Sequence, residues 1–426
     1  MKTVIMAGGK GTRISELFPN IPKPLIPIEG VPVLERELIS LRDQGFTDII
    51  LTVSYMADKI IDYFGDGSKL GTHIEYFVEK EPLGNAGALF KLGLKDDFLL
   101  LNADSVFEID FNRFVEYHNE KGGLVTLFTH PNSHPYDSGL IVANKDGSVD
   151  EWLTKEDIRP KWYKNRVNAG LHVINPKVLT GIDSESIGKN GVKADLDRQI
   201  LKPLCGTGKM FCYDSPEYVK DMGTPDRFQQ VSKDYENGVV VAKNLKNKQR
   251  AIFLDRDGTI NKYVGFLRNI NEFELLPGVA EAIKRINESG YLAIVITNQP
   301  VIARGEVTWE ELEEIHNKME TLLWKKEAYL DGIYFCPHHP DKGFEGEIPE
   351  LKFDCDCRKP KPGMFFRAAR DFNIDLHNSW MVGDGKNDVL AGKNAGCKTA
   401  LIGTDDFGQY MTVSSLGDFV EKWKKS

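Results

Sequence analysis

Hydrophobic and polar positions divide the chain into two stretches with the same rhythm. Thr3-Val4-Ile5-Met6 opens the first and Ala251-Ile252-Phe253-Leu254 opens the second. Short apolar runs of this kind, without polar alternation, predict strands covered on both faces. After the first run the pattern predicts a helix over Val33 to Gln44, a strand over Asp48 to Val53 and a helix over Asp58 to Phe64. Strands over Ile74 to Val78 and Phe98 to Leu101 follow. After the second run it predicts a helix from Pro277 to Asn287, closed near Gly290, and a strand from Tyr291 to Thr297. Thr308 and Glu311 form a capping box for a helix with Trp309, Leu312, Ile315, Met319 and Leu322 on one face. Ser379 to Gly383 and Thr399 to Ile402 supply later strands. Strand and helix alternating in this way predict an α/β protein of two doubly wound, Rossmann-like domains built on mostly parallel sheets. Ser232 to Arg250 is polar and basic around Val239-Val240-Val241-Ala242, which sets the domains at 1–240 and 250–426 with a linker over 241–249.

Composition narrows the partners. The 426 residues are 41% hydrophobic and 27% charged, enough apolar material for two folded cores. Lys and Arg number 54 against 63 Asp and Glu, a net charge of −9, which argues against a nucleic-acid backbone or an anionic membrane as main partner. No apolar run approaches the length of a membrane span. The start runs straight from a short apolar stretch into glycines rather than a cleavage site, so it reads as a first buried strand and the expected compartment is the cytoplasm. Of the 6 cysteines, Cys336, Cys355 and Cys357 cluster, which suggests a metal before disulfides.

Both opening strands run into unusual loops. The first is Ala7-Gly8-Gly9-Lys10-Gly11-Thr12-Arg13, which has neither the Walker spacing nor that of a dinucleotide fold. Its glycines let backbone approach phosphate closely, and Arg13 adds a charged fork. Pro22-Lys23-Pro24 holds a lysine in a stiff turn, Asn102-Ala103-Asp104 ends an apolar run in a carboxylate, and Asp221-Met222-Gly223-Thr224-Pro225 adds another. Together these residues resemble the sugar-1-phosphate nucleotidyltransferase family over residues 1 to about 235. Glu81-Pro82-Leu83-Gly84-Asn85-Ala86-Gly87 is similar to the base-side loop of its mannose-1-phosphate guanylyltransferase branch, and Asn168-Ala169-Gly170 to its sugar-binding segment. The resemblance implies in-line attack by a sugar 1-phosphate on the α-phosphorus of an NTP, with expulsion of pyrophosphate. It implies that Asp104 and Asp221 hold Mg²⁺, that Lys23 contacts the reacting phosphates and that the glycine loop with Arg13 cradles the triphosphate. Glu81, Pro82, Gly84 and Asn85 would then face the nucleotide, and Asn168, Gly170 and Lys155 the sugar. Leu153-Thr154-Lys155-Glu156 departs from the family's E-K-P segment at that last position.

The second loop is Asp255-Arg256-Asp257-Gly258-Thr259. Two carboxylates directly after a buried strand can divide a phosphoryl transfer between a nucleophile, Asp255, and a proton donor and acceptor, Asp257. Asp384 after another apolar strand would complete a Mg²⁺ site with them, and Thr297 and Lys359 could bind phosphoryl oxygens. This half, from 250 to about 405, resembles the haloacid dehalogenase superfamily. Within it, Thr297-Asn298-Gln299, Ile302-Ala303-Arg304-Gly305, Cys336-Pro337-His338 and Cys355-Asp356-Cys357-Arg358-Lys359-Pro360 are similar to the D-glycero-D-manno-heptose 1,7-bisphosphate phosphatase group. Histidinol phosphatase, with the same cysteine clip, is the competing resemblance. Asn298, Arg304 and Arg358 would contact the sugar, and Pro300-Val301 stands where the heptose enzymes usually carry Ser-Gly. Cys336, His338, Cys355 and Cys357 form a filled Cys₃His set suited to a structural zinc, with His339 as an alternative ligand.

The two resemblances imply consecutive reactions. Removal of the 7-phosphate from a heptose 1,7-bisphosphate leaves a heptose 1-phosphate, and the first domain would join that to GTP to give GDP-heptose in the α-anomeric series. Mannose 1-phosphate, or UTP or dTTP as donor, are the alternatives, as is a chain with one domain inactive and serving as scaffold or sensor. Homo-oligomers remain compatible with the sequence.

Overall fold

The run after Met1 forms the strand Lys2–Met6 with Thr3, Val4 and Ile5 buried. It lies between Asp48–Val53 and Phe98–Asn102, parallel to both, and His73–Val78 extends the sheet beyond Asp48–Val53. The computed structural model describes every residue except Lys10, Thr12, Asp104, 182–185, 189–191 and Ser426. Among the described residues the chain divides into two units. One comprises 1–130, 139–154 and 167–244; the other comprises 131–138, 155–166 and 245–426.

The sheet of the first unit has nine strands and is mixed. Its parallel part follows the sequence pattern closely, because strands buried on both faces are apolar throughout. Side chains alternate between two cores. Ile5, Ile49, Leu51, Leu99 and Leu101 pack with Leu34, Leu38 and Phe114, whereas Val4, Ile50 and Leu100 pack on the other face with Leu127, Ile141 and Leu196. The mostly parallel sheet expected from the sequence gives way beyond Phe98–Asn102, where Val167–Ile174 pairs antiparallel and Val125–His130 pairs antiparallel to that in turn. Helix Val33–Arg42 ends two residues before the pattern did, since the chain turns at Gly45 with φ +88°.

The second unit carries a six-stranded sheet that is parallel throughout, with Ala251–Leu254 between Leu292–Asn298 and Trp380–Gly383. The capping box at Thr308 and Glu311 opens helix Trp309–Trp324, whose Leu312, Ile315, Met319 and Leu323 are buried. Leu322, expected on that face, is only partly buried, and Leu323 takes its place in the i, i+4 row. Val239–Ala242, read as an apolar run within the linker region, is a short helix with Val239 and Val240 packed on Val231. No helix among the described residues is long and apolar enough to cross a membrane.

Candidate active sites

Three parallel strands bring the phosphatase-like residues together. Asp255 follows Ala251–Leu254, Asp384 follows Trp380–Gly383, and Thr297 and Asn298 end Leu292–Asn298, so all lie at the carboxyl edge where open α/β sheets place ligands. Lys359 enters from a loop and is 4% exposed. Its ammonium donates to Asp255 Oδ1 at 2.6 Å, to Asp388 Oδ1 at 2.6 Å and to Ile296 O at 2.8 Å. Asp388, on helix Lys386–Ala395, was not anticipated from the sequence; the only hint was an acidic residue in the first turn after the Asp384 loop. Its other oxygen accepts from Gly385 N at 3.0 Å.

Asp255, Asp384 and Asp388 offer carboxylate oxygens within 4.8 Å of one another. Asp255 and Asp388 are buried and share one ammonium, and Asp384 stands beside them on the solvent side. Burial pushes Asp255 up to about 7, against the pull of Lys359, and burial with the charge of Asp388 pushes Asp384 up to about 6. Lys359 is raised as well, because the two aspartates outweigh the cost of burying it. Burial is the larger cause for both aspartates and the neighbouring carboxylates add to it, a concentration of negative charge that a hard, oxygen-preferring divalent cation would neutralise. The donor set therefore fits Mg²⁺.

The Asp257 carboxylate stands outside this group. It accepts from Arg256 Nη2 at 3.0 and 2.9 Å, from Asn261 Nδ2 at 3.0 Å and from Gln299 Nε2 at 2.9 Å. Burial pushes it up, but Arg256, Asn261 and Gln299 outweigh burial and hold it below the usual carboxylate range. Its side chain is not in the set of carboxylates around Lys359, and the acidic residue found there with Asp255 and Asp384 is Asp388. Thr297 Oγ1 accepts from Gln299 Nε2 at 2.9 Å.

Cys336, His338, Cys355 and Cys357 converge. The sulfur pairs lie 3.2 to 3.4 Å apart, and His338 Nδ1 is 3.3 Å from Cys357 and 3.6 Å from Cys336. Those separations approach the edges of a tetrahedron with Zn–S of about 2.3 Å and Zn–N of about 2.0 Å, so the four side chains fit zinc. His339, the alternative ligand, is not in this set. Its ring meets Arg304 Nη2 at 3.0 Å, and Arg304 lies between the rings of Phe266 and Phe344 at 4.0 and 4.4 Å. Arg358 donates to the carbonyl of His338 at 3.2 Å, which ties the loop before Lys359 to the cysteine clip.

In the first unit, Lys23 is 8% exposed and its ammonium lies 3.4 Å from Asp221 Oδ1. Gly11, with φ +57°, packs close to the Lys23 stem. Asp221 also accepts from Gly223 N at 2.7 Å and from Arg227 Nη1 at 2.6 Å, a cation the motifs did not single out. Burial pushes Asp221 up, but Lys23, Arg227 and the Gly223 amide outweigh it and hold its carboxyl below the ordinary range. Its expected metal partner Asp104 and the loop residue Thr12 lie outside the described residues. Ala7 is buried, while Gly9 and Arg13 are exposed and a Cβ on Gly9 would meet nothing within 4 Å, which leaves room beside the loop.

The remaining expected contacts are spread more widely. Glu81, Pro82, Gly84 and Asn85 are exposed. The loop is fastened through Ala194 N to Leu83 O at 2.9 Å and Leu196 N to Asn85 Oδ1 at 2.8 Å, so Asn85 spends its oxygen on backbone. Asn168 Oδ1 meets Gly170 N at 3.2 Å and His172 Nε2 at 3.2 Å, at the point where the register of its strand shifts. Lys155 is exposed and belongs to the segment 155–166 that groups with the second unit.

Residues 2–238 match the family described as nucleotidyl transferase, and residues 356–415 match the family described as HAD-hydrolase-like. The D-glycero-beta-D-manno-heptose-1,7-bisphosphate 7-phosphatase of Haemophilus ducreyi is 43% identical over 157 residues, which are 36% of this chain and 82% of that protein. The crystal structure of HddC from Yersinia pseudotuberculosis is 26% identical, covering 55% of this chain and 99% of that one, with a TM-score of 0.46. The crystal structure of a D,D-heptose 1,7-bisphosphate phosphatase from B. bronchiseptica complexed with magnesium and phosphate is 32% identical, covering 42% of this chain and 99% of that one, with a TM-score of 0.37.

Proposed function

Because the chain belongs to the nucleotidyl transferase family through residues 2–238 and to the heptose-1,7-bisphosphate 7-phosphatase family through its C-terminal part, we propose that it carries out two consecutive reactions. It removes the 7-phosphate of D-glycero-α-D-manno-heptose 1,7-bisphosphate, then transfers a guanylyl group from GTP to the heptose 1-phosphate. GDP-heptose and pyrophosphate leave. What carries the reading is the Asp255, Lys359, Asp384 and Asp388 cluster in a unit with a 43% identical heptose phosphatase relative.

In the phosphatase unit, the negative charge of the arriving phosphate raises Asp257 so that it takes up a proton. Asp255 attacks phosphorus while the bond to the sugar O7 breaks, and that oxygen takes the proton from Asp257. Water then attacks the aspartyl phosphate, Asp257 accepts its proton, and inorganic phosphate leaves with Asp255 restored. Lys359 holds Asp255 at 2.6 Å and offsets the carboxylate charge around it. Asp255 and Asp384, with Asp388 behind Lys359, would hold Mg²⁺, which when bound offsets repulsion between nucleophile and phosphate. Arg304 and Arg358 supply cations for the remainder of the bisphosphate. In the transferase unit, an oxygen of heptose 1-phosphate attacks the α-phosphorus of GTP and the bond to pyrophosphate breaks. Lys23, Arg13 and the backbone of Gly8, Gly9 and Gly11 offset and position the phosphates. Asp221 with Asp104 would hold Mg²⁺ there, and the loop Glu81 to Asn85 faces the base.

One observation favours a second reading of the sugar. The Haemophilus ducreyi relative is named for the β anomer. The anomeric carbon is remote from the phosphate that leaves, so similarity in the phosphatase leaves C1 to the transferase. The test supplies each anomer with Mg²⁺, then each of GTP, ATP, UTP and dTTP, following phosphate and pyrophosphate. Phosphate from the α anomer followed by pyrophosphate with GTP supports the reading; pyrophosphate only with another nucleotide, or only from the β series, overturns it.

A further inference from the structure

Arg256 is 0% exposed, yet nothing in the reaction above uses it. A buried guanidinium persists only where its donors are satisfied. Here Nη2 reaches both oxygens of Asp257 and Gln299 Oε1, the last at 2.9 Å, and Nη1 meets His316 Nε2 at 3.3 Å. Arginine only donates, so His316 Nε2 accepts and the ring carries its proton on Nδ1. Burial, reinforced by the Arg256 charge, pushes His316 down to about 3 and keeps the ring neutral. Gln299 closes the cluster by donating to Asp257 Oδ2 and to Thr297 Oγ1, both at 2.9 Å.

A short carboxylate has a broad terminal torsion and needs donors on both oxygens to be fixed. Asp257 has them from Arg256, Gln299 and Asn261. A lysine at 256 would offer a single point charge in place of the fork. We propose that Arg256, backed by His316 on helix Trp309–Trp324 and by Gln299, is a positioning residue that fixes Asp257 in the orientation from which it serves the leaving sugar oxygen. The inference rests on Asp257 as proton donor to that oxygen. His316 acts at one remove, as the acceptor that orients the guanidinium.

The test uses leaving-group dependence in the full chain with Mg²⁺. Values of kcat/KM report steps up to departure of the leaving group, and p-nitrophenolate departs without a proton while an alkoxide does not. His316→Leu removes the acceptor and His316→Gln keeps one. With His316→Leu, kcat/KM is expected to fall by about 10²-fold on heptose bisphosphate and other alkyl phosphates and less than about threefold on p-nitrophenyl phosphate. His316→Gln restores most of the loss. Equal losses on both classes, or none, overturn the proposal. Arg256→Lys, read in the same way, covers a His316→Leu chain that does not fold, with GTP-dependent pyrophosphate release reporting on the first unit. A wild-type chain that cleaves other alkyl phosphates but no heptose bisphosphate contradicts the substrate reading alone, because the positioning remains readable from the alkyl and aryl series.

Discussion

Asn298 and Lys359 hold each other through two reciprocal hydrogen bonds. The amide Nδ2 of Asn298 donates to Lys359 O at 3.0 Å, and Lys359 N donates to Asn298 Oδ1 at 2.9 Å. The side chain expected from the sequence to touch sugar is thereby committed to the backbone of the lysine that meets Asp255. Asn298→Ala is expected to lower kcat on the order of 10²-fold on both heptose bisphosphate and p-nitrophenyl phosphate, because a small displacement of Lys359 disturbs the nucleophile. A rise in KM for the heptose substrate alone would instead mark Asn298 as a sugar contact.

The cysteine clip reaches the same lysine from the other side. Arg358 donates to His338 O at 3.2 Å, and Lys359 follows Arg358 directly. Removing zinc by chelation, or replacing Cys357 with Ser, is expected to abolish phosphatase activity while pyrophosphate formation from a supplied sugar 1-phosphate persists. Metal analysis alongside both assays checks this, and one equivalent of zinc per chain is the expected content of the active protein.

Acid should weaken the first unit through His172. Its ring is buried, and burial pushes it down to about 3 from an ordinary value near 6.5. The unfolded chain then binds a proton that the folded one refuses, so stability is complete above pH ~6.5 and is lost as pH falls toward 3. From pH 7 to pH 5 this group alone costs about 2 kcal/mol. Chemical denaturation of the full chain at the two pH values, compared with His172→Gln, is expected to show a smaller acid loss in the variant by about that amount.

Two glycines separate the sites genetically. Gly258 has φ +86°, and a Cβ there would overlap the Asp384 carboxylate. A Cβ at Gly223 would sit 2.9 Å from Asp221 Oδ1 and 3.2 Å from Lys23 Nζ. Gly258→Ala is expected to reduce phosphate release at least 10²-fold with pyrophosphate formation retained, and Gly223→Ala the reverse. Paired assays on each variant check the independence of the two units.

Much of this was legible in the residues, for physical reasons. Strands such as Ala251–Leu254 are buried on both faces and read as plain apolar runs, and the aspartates that follow them inherit their place from the strand ends. Cys336, His338, Cys355 and Cys357 are polarisable ligands in a polar loop, so their spacing announced a metal. Asp388 was not legible, because its role depends on a helix turning its first-turn carboxylate toward Lys359. Arg256 and His316 were equally silent, since their meeting is a product of tertiary packing between residues far apart in sequence. The antiparallel part of the first sheet was hidden for a related reason. Val149–Leu153 buries Val149 and Trp152 but exposes Asp150 and Glu151 in succession where its register shifts, so the two-residue alternation that marks a half-buried strand is broken.

A time course with heptose 1α,7-bisphosphate, GTP and Mg²⁺ tests the central claim most directly when wild type and Asp255→Asn are compared. In wild type, inorganic phosphate is expected to appear first and pyrophosphate after it, with GDP-heptose as product. Asp255→Asn should release neither from the bisphosphate, yet form pyrophosphate at the wild-type rate from supplied heptose 1-phosphate. Pyrophosphate from the bisphosphate without release of inorganic phosphate, or no turnover of any heptose phosphate, would contradict the account.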